Sequence, residues 1–380
     1  MQIKLKGRID SSNAAQVEEE LKAQIGDFIG EVELDAGELE YISSAGLRVV
    51  LRLKKANTQT KITNCSGEVY EIFDMTGFTE MMDISKAYRK LSVEGCEVIG
   101  EGSNGKVYRT DPDTIVKVYK NHDALAEIQN ERELARKAFV MGIPTAIPYD
   151  VVQVGEYYGS VFELLNAKSF GQIINEHPEQ VEELARESVT ILKTIHATEL
   201  QPGELPSKRE EAIGWAKACQ PALQAEAGEK LIRLMEEIPE TNNMLHGDYH
   251  IKNIMQQNGE NLLIDMDTLS QGHPIFELAA IYAAYIGFSC VDAKNSEEFL
   301  GIPTEMCEKF WEYTVNFYFE GKSDEFIEDV VKKAKIICFA RILKRTLYRV
   351  DTESAQGKAL KDFCVSYLNE TVPQTDLLYY

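Results

Sequence analysis

The run His246-Gly247-Asp248-Tyr249-His250-Ile251-Lys252-Asn253, followed by Leu263-Ile264-Asp265, constrains this chain more than any other stretch. An aspartate and an asparagine stand five positions apart, with a second aspartate twelve positions further on. One carboxylate can accept a hydroxyl proton, while an amide oxygen and another carboxylate are hard ligands suited to Mg²⁺ on a nucleotide. The spacing predicts phosphoryl transfer from a nucleoside triphosphate, ATP or GTP, to a hydroxyl. Asp248 is the candidate base, and Asn253 and Asp265 are the candidate metal ligands. His246 and His250 read as structural hydrogen-bonding residues.

A second segment supplies the matching phosphate-binding elements. Gly100-Glu101-Gly102-Ser103-Asn104-Gly105-Lys106-Val107 fits G-x-G-x-x-G-x-V, with Gly100, Gly102, Ser103, Gly105 and Val107 as nucleotide-binding candidates. Glycines let backbone N–H groups approach phosphate oxygens closely. A dinucleotide loop would open a helix, but Val107-Tyr108 and the turn Asp111-Pro112-Asp113 follow, which predicts a loop between two strands. A P-loop would need Ser or Thr where Val107 stands. Lys117 lies in the apolar run Ile115–Tyr119 and needs a charged partner, since an unpaired buried ammonium is costly. Glu127, Glu131 and Glu133 are available on the next helix, and Glu131 is chosen because it adjoins the apolar positions Ile128 and Leu134. Glu163 and Leu165 end a strand pair, where their backbone either reads an adenine edge or simply closes the strand.

At 380 residues the chain exceeds one ordinary core. Residues 1–88 alternate strand and helix, which predicts a small α/β sheet. Residues 92–165 are strand-rich, and 166–380 are mainly helical and carry the catalytic loop and acceptor site. The fold class is thus α/β and α+β, with a nucleotide held between two lobes. Net charge is −22, and residues 1–90, with 12 basic against 15 acidic side chains, hold little of it. Such acidity argues against nucleic acid and anionic membrane and favours a cationic acceptor. Seven scattered cysteines without a CxxC pair predict reduced, mostly buried thiols. The charged start and the short apolar stretch Leu278–Cys290 predict a cytoplasmic chain with no membrane span.

Residues from about 92 onward resemble the aminoglycoside phosphotransferase-like branch of the protein-kinase-like fold, which also holds choline and homoserine kinases. The resemblance rests on Gly100–Val107, Lys117, His246-Gly247-Asp248 with Asn253, Leu263-Ile264-Asp265, and Gly272-His273-Pro274-Ile275-Phe276-Glu277-Leu278-Ala279. It implies Asp248 as base, Asn253 and Asp265 as magnesium ligands, and Lys117 with Glu131 as the phosphate-orienting pair. Asp267 matches a second acid two residues beyond the metal aspartate. Glu277 departs from the family's usual aspartate at a structural position. The absence of a long activation segment points away from protein kinases.

Residues 1–88 resemble the STAS fold of anti-sigma factor antagonists through Tyr41-Ile42-Ser43-Ser44-Ala45-Gly46-Leu47-Arg48. In that family the first Ser of D-S-[ST]-G-L is a phosphorylated switch, which maps to Ser44, although Ser43 replaces the preceding Asp. Ser43 and Ser44 serve equally well as plain helix caps. The favoured function is a kinase for a hydroxyl of a small molecule with a regulatory STAS domain, which offers a protein-partner surface. The alternative is a signalling protein that phosphorylates a protein serine such as Ser44. Trp215, Tyr249, Trp311 and Glu312 are candidates for lining the acceptor pocket.

Overall fold

The computed structural model describes residues 1–102, 105–348 and 354–380. The first unit follows from period-two apolar alternation. β1 (Gln2–Ile9) buries Ile3, Leu5 and Ile9, and α1 (Ala14–Ile25) follows. Asn13 precedes α1, but its Oδ1 accepts from the Asp10 N–H at 2.9 Å and caps no helix N–H. β2 (Val32–Ile42) is long because Ala36, Leu39 and Ile42 keep facing the core across register shifts against β1. α2 (Ser44–Ala56), β3 (Thr60–Cys65), α3 (Gly67–Met75), α4 (Phe78–Met81) and β4 (Ile84–Lys86) complete an all-parallel sheet of order β1-β2-β3-β4.

Only Ala87 and Tyr88 separate β4 from β5 (Arg89–Lys90), the edge strand of a second sheet. β6 (Glu97–Glu101), β7 (Gly105–Asp111), β8 (Thr114–Tyr119), α5 (Leu125–Val140), β9 (Asp150–Val154) and β10 (Tyr157–Glu163) follow. The sheet order is β5-β9-β10-β8-β7-β6, antiparallel except where β5 runs parallel to β9. α5 buries Ile128, Glu131, Leu134, Ala135 and Ala138. Tyr88 packs with Leu125 and Tyr158 against Tyr119, Ala124, Ile128 and Val151.

The helical lobe begins with β11 (Lys168–Ser169), α6 (Phe170–Glu176), α7 (Val181–Ala197), α8 (Lys208–Cys219) and α9 (Ala225–Glu237). β12 (Met244–Leu245), β13 (Ile254–Gln257), β14 (Glu260–Leu263) and β15 (Ser270–Gln271) carry the loops of interest. α10 (Ile275–Tyr285), α11 (Lys294–Leu300), α12 (Thr304–Tyr318), α13 (Asp324–Leu347) and α14 (Ala355–Thr371) close the lobe. Every residue of α10 except Ala280 is buried, so the apolar stretch is a core helix, beginning earlier and ending at Tyr285. α13 packs against α8, α10 and α14. Pro144 and Thr145 join the lobes: Thr145 Oγ1 donates to the Leu263 carbonyl at 2.9 Å, and Leu263 N–H to the Pro144 carbonyl at 2.8 Å. All seven cysteines are free, and five are buried. No helix among the described residues is long and apolar enough to cross a membrane.

Candidate active site

The catalytic loop is held by backbone bonds that its own residues dictate. Gly247 has φ 86°, and a Cβ there would lie 2.3 Å from the Thr268 carbonyl oxygen, so only glycine fits. The Glu277 carboxylate, fully buried on α10, accepts from the N–H groups of His246 at 2.5 Å and Gly247 at 3.0 Å. This answers the departure from aspartate: the longer side chain still reaches the loop. Burial opposes ionisation of Glu277, but His196 at 3.9 Å, His246 and the Gly247 N–H more than offset it, and its carboxyl titrates below the usual value.

Asn253 Nδ2 donates to the Asp248 carbonyl at 3.0 Å, and its Oδ1 has no hydrogen bond among the described residues. The β13–β14 hairpin returns the chain beside this asparagine, where Ile264 N–H donates to the Asn253 carbonyl at 3.0 Å. Asp265 follows in the left-handed region, φ 65°, a conformation non-glycine residues seldom adopt. Asp248 is partly open, with His250 Nε2 3.4 Å from its Oδ2. Burial pushes the Asp248 carboxyl up, yet His250, His246 and Arg341 together hold it below the ordinary range, so it is ionised at neutral pH. His246 is completely buried and is kept neutral by that burial.

Across the cleft, Lys117 Nζ donates to Glu131 Oε1 at 2.9 Å and Oε2 at 3.1 Å, and it stands 3.5 Å from Asp265 Oδ1. Of the three glutamates considered, Glu131 is the buried one and takes the lysine. Burial alone would lower the Lys117 pKa, but Glu131, Tyr119 and Asp265 raise it, so the ammonium persists. Sequence reasoning missed Tyr119, whose hydroxyl donates to Glu131 Oε2. A strand position two after Lys117 points to the same face, which was the available signal. Asp267 lies within the fields of Asp265, Lys117, Glu131 and Asp248, and burial first, then Asp265, pushes its carboxyl up to about 7.

The glycine segment forms the β6–β7 turn, as the sequence requires. Gly100 pairs with Val107, and Gly102 N–H donates to the Gly105 carbonyl at 2.9 Å. A Cβ on Gly105 would sit 2.3 Å from the Val118 carbonyl oxygen, whereas Gly102 has open space where one would be. Ser103 lies outside the described residues. Glu163 is exposed at the end of β10, and Leu165 is half-buried just beyond it, after Leu164 N–H donates to the Asp113 carbonyl at 2.9 Å.

Asp248 also opens onto a cavity of about 340 Å³ between α10, α13 and α14. Ala280, Ala284, Phe288 and Phe299 form apolar wall, and Arg341 and Arg345 project from α13. The described lining thus holds two arginines beside Asp248, where the bulk acidity suggested acidic side chains. Among the aromatic and acidic candidates, Tyr249 is buried against Ser188, Trp311 packs on Tyr282, and Glu312 is exposed on α12. Trp215 stands behind the cavity with Arg341 over its ring at 5.8 Å. In the first unit, Ser43 Oγ accepts from the Ala45 N–H at 3.2 Å and so caps α2, while Ser44 is the exposed first helical residue.

The sequence profile of the phosphotransferase enzyme family matches residues 95–300, and that of the STAS domain matches residues 1–91. A protein of Bordetella bronchiseptica described as an anti-sigma factor antagonist, BtrV, is 38% identical over 87 residues, spanning 22% of this chain and 75% of that protein. Among solved structures, a thermostable mutant of aminoglycoside phosphotransferase APH(4)-Ia is similar at TM-score 0.51 and 15% identity, over 73% of this chain and 94% of that one. Amicoumacin kinase hAmiN in complex with AMP-PNP, Ca²⁺ and Ami is similar at TM-score 0.51 and 13% identity, over 81% of this chain and 95% of that one. At these identities the likeness concerns the fold.

Proposed function

Because the chain belongs to the phosphotransferase enzyme family and carries a STAS domain, we propose that it moves the γ-phosphate of ATP to a hydroxyl of a small molecule, with Asp248 as base. The observation that carries this reading is the convergence of the Lys117–Glu131 pair on Asp265, with Asn253 fixed to the Asp248 carbonyl beside it. In the reaction the acceptor oxygen forms the new P–O bond, the bond from the γ-phosphorus to the β,γ-bridging oxygen breaks, and the acceptor proton passes to Asp248. Lys117 orients the nucleotide phosphates, and Glu131, held by Tyr119, keeps that lysine in position.

The donor set fits magnesium: Asn253 Oδ1 and the partly exposed Asp265 carboxylate are hard oxygens, few in number as Mg²⁺ prefers when phosphates complete its shell. Bound with the nucleotide, Mg²⁺ neutralises charge on the phosphates. The backbone at Gly100, Gly102, Ser103, Gly105 and Val107 is assigned to the phosphates, and that at Glu163 and Leu165 to the base. Replacing Asp248 with Asn is expected to lower turnover by roughly 10²–10⁴-fold, the range for losing a general base. Unchanged nucleotide-dependent turnover in that variant would remove Asp248 from the mechanism.

The functional units are proposed as residues 1–88, 92–165 and 166–380, the first of them regulatory. Tyr88 supports this coupling, since it leaves the last strand of the parallel sheet and enters the small core that carries α5 and hence Glu131. A second reading rests on exposed Ser44 at the start of α2, where the positive end of the helix would stabilise a phosphate. Intact mass after incubation with Mg–ATP separates the two. A phosphate gained and then lost on Ser44→Ala supports signalling; no gain supports a diffusible acceptor.

A further inference from the structure

The cavity beside Asp248 has a charge pattern that nothing in the phosphotransferase chemistry requires. Arg341 lines it, half-buried on α13, with its guanidinium over the Trp215 ring at 5.8 Å and its charge felt by Asp248; it makes no hydrogen bond or ion pair among the described residues. The nearest structural acid, Glu277, is already engaged by the N–H groups of His246 and Gly247. Arg345, one helical turn further on the same face, lies over the Phe288 ring at 5.2 Å. α14, a helix of 17 residues, begins at the same cavity, with Ser354, Gln356 and Gly357 in its wall. Its first turn presents N–H groups and the positive end of the helix dipole. Asp292, at the rim, accepts from Gln356 Nε2 at 3.0 Å and is not part of the described lining.

From this convergence we infer that the phosphate acceptor is a hydroxylated molecule bearing an anionic group, a carboxylate or a phosphate, held by Arg341 at the start of α14. The guanidinium fork suits either planar carboxylate or phosphate oxygens. A cationic acceptor would instead place its ammonium against the Arg341 guanidinium and a helix N-terminus. Among the described residues Asp248 is the only acid in the cavity lining, and its carboxylate is reserved for the reacting hydroxyl. The volume of about 340 Å³ suits a single small metabolite, and the alanine and phenylalanine wall covers its carbon skeleton. This inference rests on the phosphotransferase reading above.

Calorimetric titration of the full chain, saturated with Mg–AMP-PNP so that the nucleotide site is closed to competitors, tests it with four matched sugars. D-Gluconate carries a carboxylate, D-glucose 6-phosphate a phosphate, D-glucose no charge and D-glucosamine a cation. At least one of the two anions is expected to bind tenfold or more tightly than glucose, and the tighter one names the group. Arg341→Gln is expected to remove that preference by about 10- to 100-fold, the worth of a charge-assisted hydrogen bond, and Arg341→Lys to restore part of it. Should the glutamine variant melt early without ligand, the lysine variant replaces it, and a weaker anion preference is expected there. Glucose or glucosamine binding as tightly as both anions overturns the inference. So does no binding of either anion, or an undiminished preference without Arg341. A chain that fails to bind Mg–AMP-PNP at all overturns the phosphotransferase reading itself; normal nucleotide binding without anion preference overturns only the acceptor class.

Discussion

Two buried carboxylates and a half-buried one divide the work at the level of single residues. Glu131 serves Lys117 and Tyr119, Glu277 serves the backbone of the catalytic loop, and Asp267 sits among the other charges of the cleft. Glu277→Ala would leave two buried N–H groups without an acceptor, so it is expected to cost about 3–5 kcal/mol in urea denaturation. Glu277 titrates below the usual glutamate value of about 4.3 in the folded chain. Its ionic contribution is therefore complete above that pH and lost as pH falls through the folded value. The stability gap between the wild-type chain and Glu277→Gln should accordingly shrink between about pH 5 and pH 3. A gap that stays constant over that range would mean the charge of Glu277 is not its source. Asp248, Asn253, Lys117 and Asp265 were legible in the sequence because each is demanded by residue type and short spacing. Tyr119 and Arg341 were not, since a strand tyrosine and an arginine in the second half of a helix each have ordinary explanations.

Among elements, α5 and β5 link the two sheets to the cleft. α5 was legible from its charge and apolar pattern, but its inward glutamate emerged only from three candidates. β5 was not foreseen, because two residues carry no periodicity, and it forms only by pairing with β9. Tyr88→Ala removes an aromatic contact with Tyr158, at 5.4 Å between ring centroids, and loosens the packing under α5. The expected result is a several-fold higher KM for ATP with the melting of the parallel-sheet unit unchanged; an unaltered KM would argue against this route. Ile128→Ala, in the same small core and fully buried, is expected to destabilise by about 2–5 kcal/mol, read by chemical denaturation. α10 was visible in the sequence only as a short apolar stretch, and its start lies three residues before that stretch. Its first turn carries Glu277, an acid that hydropathy alone assigns to the surface.

For the whole molecule, the apolar residues of the parallel sheet form a core separate from that of the helical lobe. Calorimetry is expected to resolve two unfolding transitions, only one of which rises with Mg–AMP-PNP. At a hundred times its Kd the nucleotide should stabilise that unit by about 2.7 kcal/mol. A single transition that moves as one would instead make the two units a single cooperative body. By itself the sequence picked out the residues that the structure brings together in the cleft. Asp248, Asn253 and Asp265 lie within one short stretch, and the glycine segment lies close to Lys117, so local spacing defines their use. Period-two and helical patterning also pointed to the α/β and α+β classes, and the resemblance carried by the motifs implied the kinase-like fold. Tertiary structure alone decided what the cleft faces. Arg341 is nearly a hundred residues from Asp248 in the chain, and only the packing of α13 against α10 brings them to one cavity. Bulk charge sums over a surface, whereas recognition depends on the few side chains that a cavity encloses in low dielectric. An acidic chain therefore still carries arginines in the wall of the cavity beside Asp248.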